Sequence, residues 1–198
     1  MTYKNTLRAL LLAGVSMAAP LALAHPGHAE SGLLSGFAHP FMGLDHLIVM
    51  LAVGLWAARL GNKAVFTVPA AFVGTMILGC LLVVAGVGVP FVEQGIVLSV
   101  VFLGILLAAA SKFSTPICSA LVAAFAFFHG AAHGVEMPMD VHGSLYVAGF
   151  AAASVALHFA GIALSKGLSV IVAPVYNQWV TRLAGGVIAL TGLSMAVA

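Results

Sequence analysis

Six apolar runs, each close to the length that crosses a bilayer, occupy most of the chain after residue 35. About 20 apolar residues form a helix that spans the roughly 30 Å hydrocarbon core. Backbone groups in lipid need internal partners, and no segment alternates polar with apolar residues over ten positions, so helices are expected and barrel strands are not. We predict an all-α bundle with six transmembrane helices at residues 36–59, 64–88, 93–111, 115–136, 143–165 and 179–198.

The composition supports a membrane protein and excludes several other classes. Hydrophobic residues make up 63% of the 198 residues and charged residues only 6%, whereas a typical soluble domain is about 25% charged. The seven Lys and Arg are scattered, so no basic stripe predicts binding of nucleic acid. No phosphate-binding glycine motif suggests a nucleotide cofactor. Cys80 and Cys118 have no partner at C-x-x-C spacing and are expected to be buried hydrophobic residues.

The first 24 residues have the pattern of a secretory signal peptide. Lys4 and Arg8 precede an apolar stretch that ends in small residues, which predicts cleavage before His25. An uncleaved first helix is the alternative. After cleavage, residues 25–198 would form a single six-helix transmembrane domain with both of its ends outside the cytoplasm.

The placement of charges agrees with this topology. Five of the seven basic residues fall on the cytoplasmic side, as the positive-inside rule requires. They are Arg59, Lys63, Lys112, Lys166 and Arg182. Among the carboxylates, only Asp45 falls inside a predicted span.

Ionisable residues are concentrated in the first and fourth predicted spans. Because helical residues advance by about 100° each, one face of the first span presents imidazoles and thioethers together. The residues on this face are His39, Met42, His46 and Met50. Asp45 lies beside His46 and could act as a ligand or orient it.

The fourth predicted span repeats this arrangement. His129, His133 and Glu136 lie on one helix face within about 60°. Gly130 and Gly134 form a small-xxx-small pair, which lets a neighbouring backbone come close. We expect the two polar faces to pack against each other, so that the histidines trace a path inward from the outside. Ionisable groups inside a bilayer are costly, and their alignment predicts a functional site.

Five further residues are secondary candidates for metal binding. His25 and His28 could chelate a metal weakly together with the new N-terminal amine. Glu93 starts the third span, where a carboxylate also suits the helix dipole. A solitary intramembrane histidine such as His158 is more often an interhelical hydrogen bond than a ligand. Met42, taken alone, is expected to serve packing.

Imidazoles and carboxylates without paired cysteines predict a site for a divalent transition metal. One alternative is a subunit for electron transfer or assembly that holds haem between two histidines. A metal-dependent intramembrane protease is disfavoured because the sequence has no H-E-x-x-H motif.

Three strings in the sequence resemble the HupE/UreJ family, and the resemblance covers essentially the whole chain. They are "HPGH" after the leader, "HPFMGLDHLIVM" in the first span and "FFHGAAHGVE" in the fourth. The resemblance implies that the protein is a permease of the bacterial cytoplasmic (inner) membrane and not an enzyme. Such a permease moves nickel, or sometimes cobalt, and is linked to hydrogenase or urease maturation. The motif positions that it assigns are His39, Asp45, His46, His129, His133 and Glu136. The separate nickel/cobalt permease family uses a His-x4-Asp-His element, whereas five residues intervene here.

Together these patterns predict uptake that is not driven by ATP and needs no permanently bound cofactor. Ni²⁺ would pass an outer group and then a group near the midplane. The outer group is His39, His133 and Glu136, and the inner group is Asp45, His46 and His129. Ligation needs neutral imidazole, so binding should weaken as the pH falls through about 6.5. The expected partners are the metal ion and membrane lipid; the sequence is compatible with a homo-oligomer and does not distinguish Ni²⁺ from Co²⁺.

Overall fold

The computed structural model describes residues 32–138 and 142–197, and these residues form seven α-helices and no strand. The helices are α1 (Gly32–Ala38), α2 (Leu44–Leu60), α3 (Ala64–Val84), α4 (Val92–Ala108), α5 (Thr115–Val135), α6 (Gly143–Ile171) and α7 (Pro174–Val197). A 3₁₀ turn at His39–Phe41 follows α1. The all-α prediction is confirmed for this part of the chain. The predicted signal peptide and its cleavage point lie outside the described residues.

Length and apolarity decide which of these helices can cross a bilayer. Four can: Ala64–Val84, Thr115–Val135, Gly143–Ile171 and Tyr176–Val197. Gly32–Phe41 and Leu44–Leu60 make a fifth span if they are taken together, although they are bent by 80°. Val92–Ala108 has 17 residues, which is about 25 Å of helix and shorter than the hydrocarbon core. The protein is therefore a multi-pass membrane protein, and the count of six spans stays a prediction.

The first predicted span, 36–59, is broken into two helices. Pro40 is buried in the 3₁₀ turn, where it has no N–H to continue a helical ladder. Gly43 is extended, with φ −94° and ψ 118°, immediately before α2 begins. The prediction that His39 and His46 share one face of a continuous helix was therefore wrong. The bend, and not the helical repeat, brings these two side chains to the same region.

Glycines allow the closest contacts between helices. Gly130 of α5 lies directly against the backbone of Met76 in α3, and Gly134 lies close to the backbone of Cys80. The glycine pair predicted from the sequence thus allows a neighbouring helix to pack closely, and that helix is α3. Glycines have the same role where α1 and α2 pack on α6 and where α4 packs on α7.

One hydrogen bond shows which helix ends lie together. The indole Nε1–H of Trp56, near the end of α2, donates to the carbonyl of Ser111 between α4 and α5 at 3.1 Å. The first turn of α2 therefore lies at the opposite end of the bundle. The start of α4 and the end of α5 lie at that same end, and the candidate site is found there.

Candidate metal-binding site

A cavity of about 300 Å³ opens between the starts of α2 and α4 and the end of α5. It is lined by His39, Met42, Gly43, Asp45, His46, Glu93, Ile96 and Glu136. Three of the five acidic residues of the chain thus share one cavity with two histidines. Such a concentration of carboxylates attracts cations.

Three buried histidines from α2 and α5 adjoin this cavity. The ring centroid of His46 is 4.7 Å from that of His129 and 4.8 Å from that of His133. His39 is 4.9 Å from His133 by the same measure. His129 and His133 are fully buried, and His46 is 6% exposed. The polar residues of the first and fourth predicted spans therefore meet inside the protein, and none of these three rings faces lipid.

Hydrogen bonds determine which nitrogen of His46 is free. Asp45 Oδ1 accepts the backbone N–H of His46 at 2.8 Å and lies 3.0 Å from its Nδ1. Because an ionised carboxylate only accepts hydrogen bonds, Nδ1 of a neutral His46 carries the proton and Nε2 keeps its lone pair. This Nε2 is buried and has no hydrogen-bond partner among the described residues. Asp45 therefore orients the imidazole, as carboxylates do behind metal-binding histidines.

Ser99 of α4 fixes His129 in a similar way. The Ser99 hydroxyl donates to the carbonyl of Ile96 at 2.6 Å and lies 2.8 Å from Nε2 of His129. Since the hydroxyl has only one proton to give, His129 Nε2–H must donate to it. The lone pair of His129 is then on Nδ1, which is buried without a partner in residues 32–138 or 142–197. Ser99 was missed from the sequence because a single serine in an apolar run gives no periodic pattern.

His133 is buried beside the rim of the cavity. It lies two residues before the end of α5, is fully buried, and bridges His39 and His46. Its ring stacks on Phe150 of α6, with 4.5 Å between centroids and 12° between ring planes. Neither of its ring nitrogens has a partner within the described ranges. His39, in the 3₁₀ turn before α2, lies against this ring.

The rim of the cavity contains a hydrogen bond between distant parts of the chain. His39 Nε2 lies 2.8 Å from Glu136 Oε2, and the side chains are 24% and 48% exposed. This contact joins the 3₁₀ turn to the end of α5. Tyr146 of α6 lies 5.8 Å from His39 between ring centroids, and its buried hydroxyl has no partner among the residues described. Tyr146 was not a sequence candidate.

The secondary candidates lie at different places relative to the cavity. Glu93 lines the cavity, and so does Met42, which is 83% exposed at its edge. Met50 is fully buried in the apolar core. His158 is fully buried on α6, outside the cluster. His25 and His28 lie outside the described residues.

Phe72 of α3 separates His158 from the other histidines. Its ring centroid is 5.7 Å from that of His129 and 5.0 Å from that of His158, and the side chain is fully buried. Aromatic rings therefore lie one after another from His46 at the cavity through His129 and Phe72 to His158. Phe72 could not be singled out from the sequence, because it is one of many apolar residues in its helix.

The cluster is not a closed metal cage. No three His, Cys, Asp or Glu side chains in the described part of the chain converge as a ready metal centre. The free nitrogens are instead spread over neighbouring rings between 4.7 and 4.9 Å apart.

Comparison with known proteins identifies the family. A sequence model described as "HupE / UreJ protein" matches residues 12–195. The chain is 44% identical to Protein HupE of Rhizobium leguminosarum bv. viciae over 193 residues, which are 98% of this chain and 96% of that protein. No solved structure matches the chain. As the strings in its first and fourth predicted spans suggested, the chain belongs to the HupE/UreJ family.

Proposed function

We propose that this protein carries Ni²⁺ across the cytoplasmic membrane into the cell, where the metal supplies hydrogenase or urease maturation. One observation carries the proposal: buried imidazoles with free lone pairs lie beside a cavity that three carboxylates line. Nickel is one of the first-row metals that imidazole binds well. Carboxylates attract a dication and replace part of its hydration shell. Membership of the HupE/UreJ family supports the same cargo.

The ion would move through this site in two steps. Glu93, Glu136 and His39 at the rim replace part of the hydration shell. His46, His133 and His129 then offer nitrogen ligands within the protein. Transport requires that each contact be weak enough for the ion to pass on, and an open series of ligands meets this requirement better than a closed cage.

The membrane potential is sufficient to drive this uptake. A double charge that moves down an inside-negative potential gains about 4.6 kcal/mol per 100 mV, twice the value for a single charge. That energy supports a concentration ratio of roughly a thousandfold. An intracellular protein that consumes free nickel would then maintain inward flow without ATP.

The haem alternative fits the geometry less well. The His46 and His129 rings are in edge contact with 4.7 Å between their centroids, which leaves no gap for a porphyrin between them. Cobalt remains an alternative cargo, because Co²⁺ and Ni²⁺ accept the same ligands and geometry decides between them.

Uptake of radioactive ⁶³Ni tests the proposal directly. Cells that lack other nickel importers are expected to accumulate the isotope when they express this protein, and not when they hold the empty vector. Competition with unlabelled Co²⁺ measures selectivity. Uptake equal to that of the vector control, at confirmed protein levels in the membrane, would disprove nickel transport. A strong Soret band in the purified protein would favour the haem alternative.

Ser99→Ala is expected to reduce nickel uptake about tenfold, because partners that orient metal ligands are typically worth 10–100-fold. Without the hydroxyl, His129 is free to rotate and to change its protonated nitrogen. The control is Ser194→Ala in α7, since Ser194 makes the same kind of bond, to the carbonyl of Thr191 three residues earlier. Equal uptake by both variants would show that Ser99 does not position His129.

A further inference from the structure

Gly43 is the residue before α2, and its backbone conformation does not require glycine. Its φ of −94° and ψ of 118° are extended angles that any residue adopts. Its carbonyl accepts the N–H of Leu47 at 3.0 Å, so Gly43 is the N-cap of α2. At an N-cap, Ser, Asp and Asn stabilise a helix at least as well as glycine, because their side chains accept a free N–H of the first turn. The glycine therefore needs another explanation.

Asp45 makes the hydrogen bond that an N-cap side chain usually makes. Its Oδ1 accepts the backbone N–H of His46, in the first turn of α2, at 2.8 Å. The same oxygen lies 3.0 Å from Nδ1 of His46. Since Gly43 has no side chain, nothing at the N-cap competes for that N–H. One carboxylate oxygen thus caps the helix and also holds the imidazole.

The carboxylate of Asp45 occupies the space that a side chain at Gly43 would take. A Cβ added to Gly43 would lie 2.7 Å from Asp45 Oδ1 and 3.2 Å from His46 Nδ1. The first distance is well inside van der Waals contact, so Oδ1 would have to move. Because Oδ1 is the end of a flexible side chain, it can move without disturbing the backbone. The expected change is therefore local, and it is the loss of the hydrogen bond between Asp45 and His46 Nδ1.

We propose that Gly43 is a positioning residue for the metal site, because its lack of a side chain lets Asp45 hold His46 in one tautomer. With the proton on Nδ1, Nε2 of His46 keeps its lone pair for the ion. A side chain at position 43 displaces the carboxylate, and the proton then occupies either nitrogen. Part of the protein would then offer no lone pair at Nε2. The effect on uptake rests on the proposed nickel transport, whereas the effect on the tautomer does not.

Nitrogen NMR of the full-length protein in detergent, recorded without metal at mildly alkaline pH, tests the tautomer directly. The protein is labelled with ¹⁵N-histidine, and the protonated and bare nitrogens of a neutral ring give well-separated signals. His46→Gln assigns the signals of His46. We expect the wild type to be protonated at Nδ1 alone, and Gly43→Ala to be protonated partly at each nitrogen. Gly88→Ala is the matched control, since Gly88 also lies outside the helices and no atom lies within 4 Å of a Cβ added there.

Gly43→Ser separates positioning of His46 from stability of the helix. Serine is a favoured N-cap residue, and its hydroxyl would compete with Asp45 for the His46 N–H. We expect thermal unfolding in detergent at the wild-type temperature or above it. The apparent KM for ⁶³Ni uptake is expected to rise about tenfold, as is typical when a partner that orients a metal ligand is lost, with the maximal rate little changed. The same substitution at Gly88 should change neither measurement.

The outcomes separate the role of Gly43 from the proposed function. A His46 ring that stays protonated at Nδ1 alone in Gly43→Ala overturns the positioning role. Where the wild type transports nickel, an unchanged KM in Gly43→Ser also overturns it, and so does a loss of uptake that only follows a loss of thermal stability. If the wild type takes up no nickel but the tautomer changes in Gly43→Ala, nickel transport fails as the function and the positioning of His46 stands.

Discussion

Nickel uptake is expected to fall to the level of vector-only cells when His46 is replaced by alanine. His46 is the ring that contacts His39, His129 and His133, so its loss interrupts the path from the cavity to the interior. It also leaves the Asp45 carboxylate without the imidazole that it orients. The measurement is the initial rate of ⁶³Ni uptake at equal protein levels in the membrane.

Glu136→Ala serves as the companion variant at the rim. It removes the carboxylate that binds His39 at 2.8 Å and one of the three that line the cavity. Uptake is expected to fall strongly here as well. His142→Ala, at an exposed position, is the control and should transport normally. Unchanged uptake in both His46→Ala and Glu136→Ala would show that the ion does not pass through this cluster.

Gly130→Val is expected to prevent accumulation of folded protein. A side chain at Gly130 would overlap the backbone of Met76, and a neighbouring main chain cannot move aside as a flexible side chain can. Overpacking of this kind costs about 3 kcal/mol or more, a large part of the stability of a typical domain. The measurements are the amount of protein in the membrane and its thermal unfolding in detergent.

Gly74→Val is the matched control for this substitution. Gly74 lies in α3, the helix that Gly130 contacts, but no atom lies within 4 Å of a Cβ added there. The same change of residue should therefore leave folding intact at Gly74. If both variants accumulated equally well, the close crossing of α3 and α5 would not be needed for the fold.

The helices were largely predictable because the apolar runs, and the Pro, Gly, Asn and charged residues that separate them, are local features of the sequence. Predicted spans at 64–88 and 115–136 correspond to Ala64–Val84 and Thr115–Val135. The prediction at 143–165 stopped short of Ile171 because it ended at the charge of Lys166, and a helix continues past the point where its hydrophobic stretch ends. The break in the first span was not predicted, because counting residues at the helical repeat assumes a continuous helix, and Pro40 and Gly43 together interrupt it.

The candidate site was only partly predictable for a related reason. His129 and His133 repeat at helical spacing within α5, so their shared face could be predicted before any fold was known. Ser99, Tyr146 and Phe72 come from other helices, and their contacts with the cluster depend on how those helices pack. The burial of His133 likewise depends on the 3₁₀ turn before α2, which brings His39 against it. Such tertiary relations leave no pattern along the chain.

The sharp bend before α2 has an electrostatic consequence for the cavity beside it. Because the chain turns at Gly43, the amino end of α2 lines the cavity, and that end carries roughly half a positive charge from the aligned peptide dipoles. Asp45, in the first turn, carries a full negative charge, and the helix end offsets about half of it. A dication there is held less firmly than three carboxylates alone would hold it. We therefore expect a short residence time, which favours rapid turnover over storage.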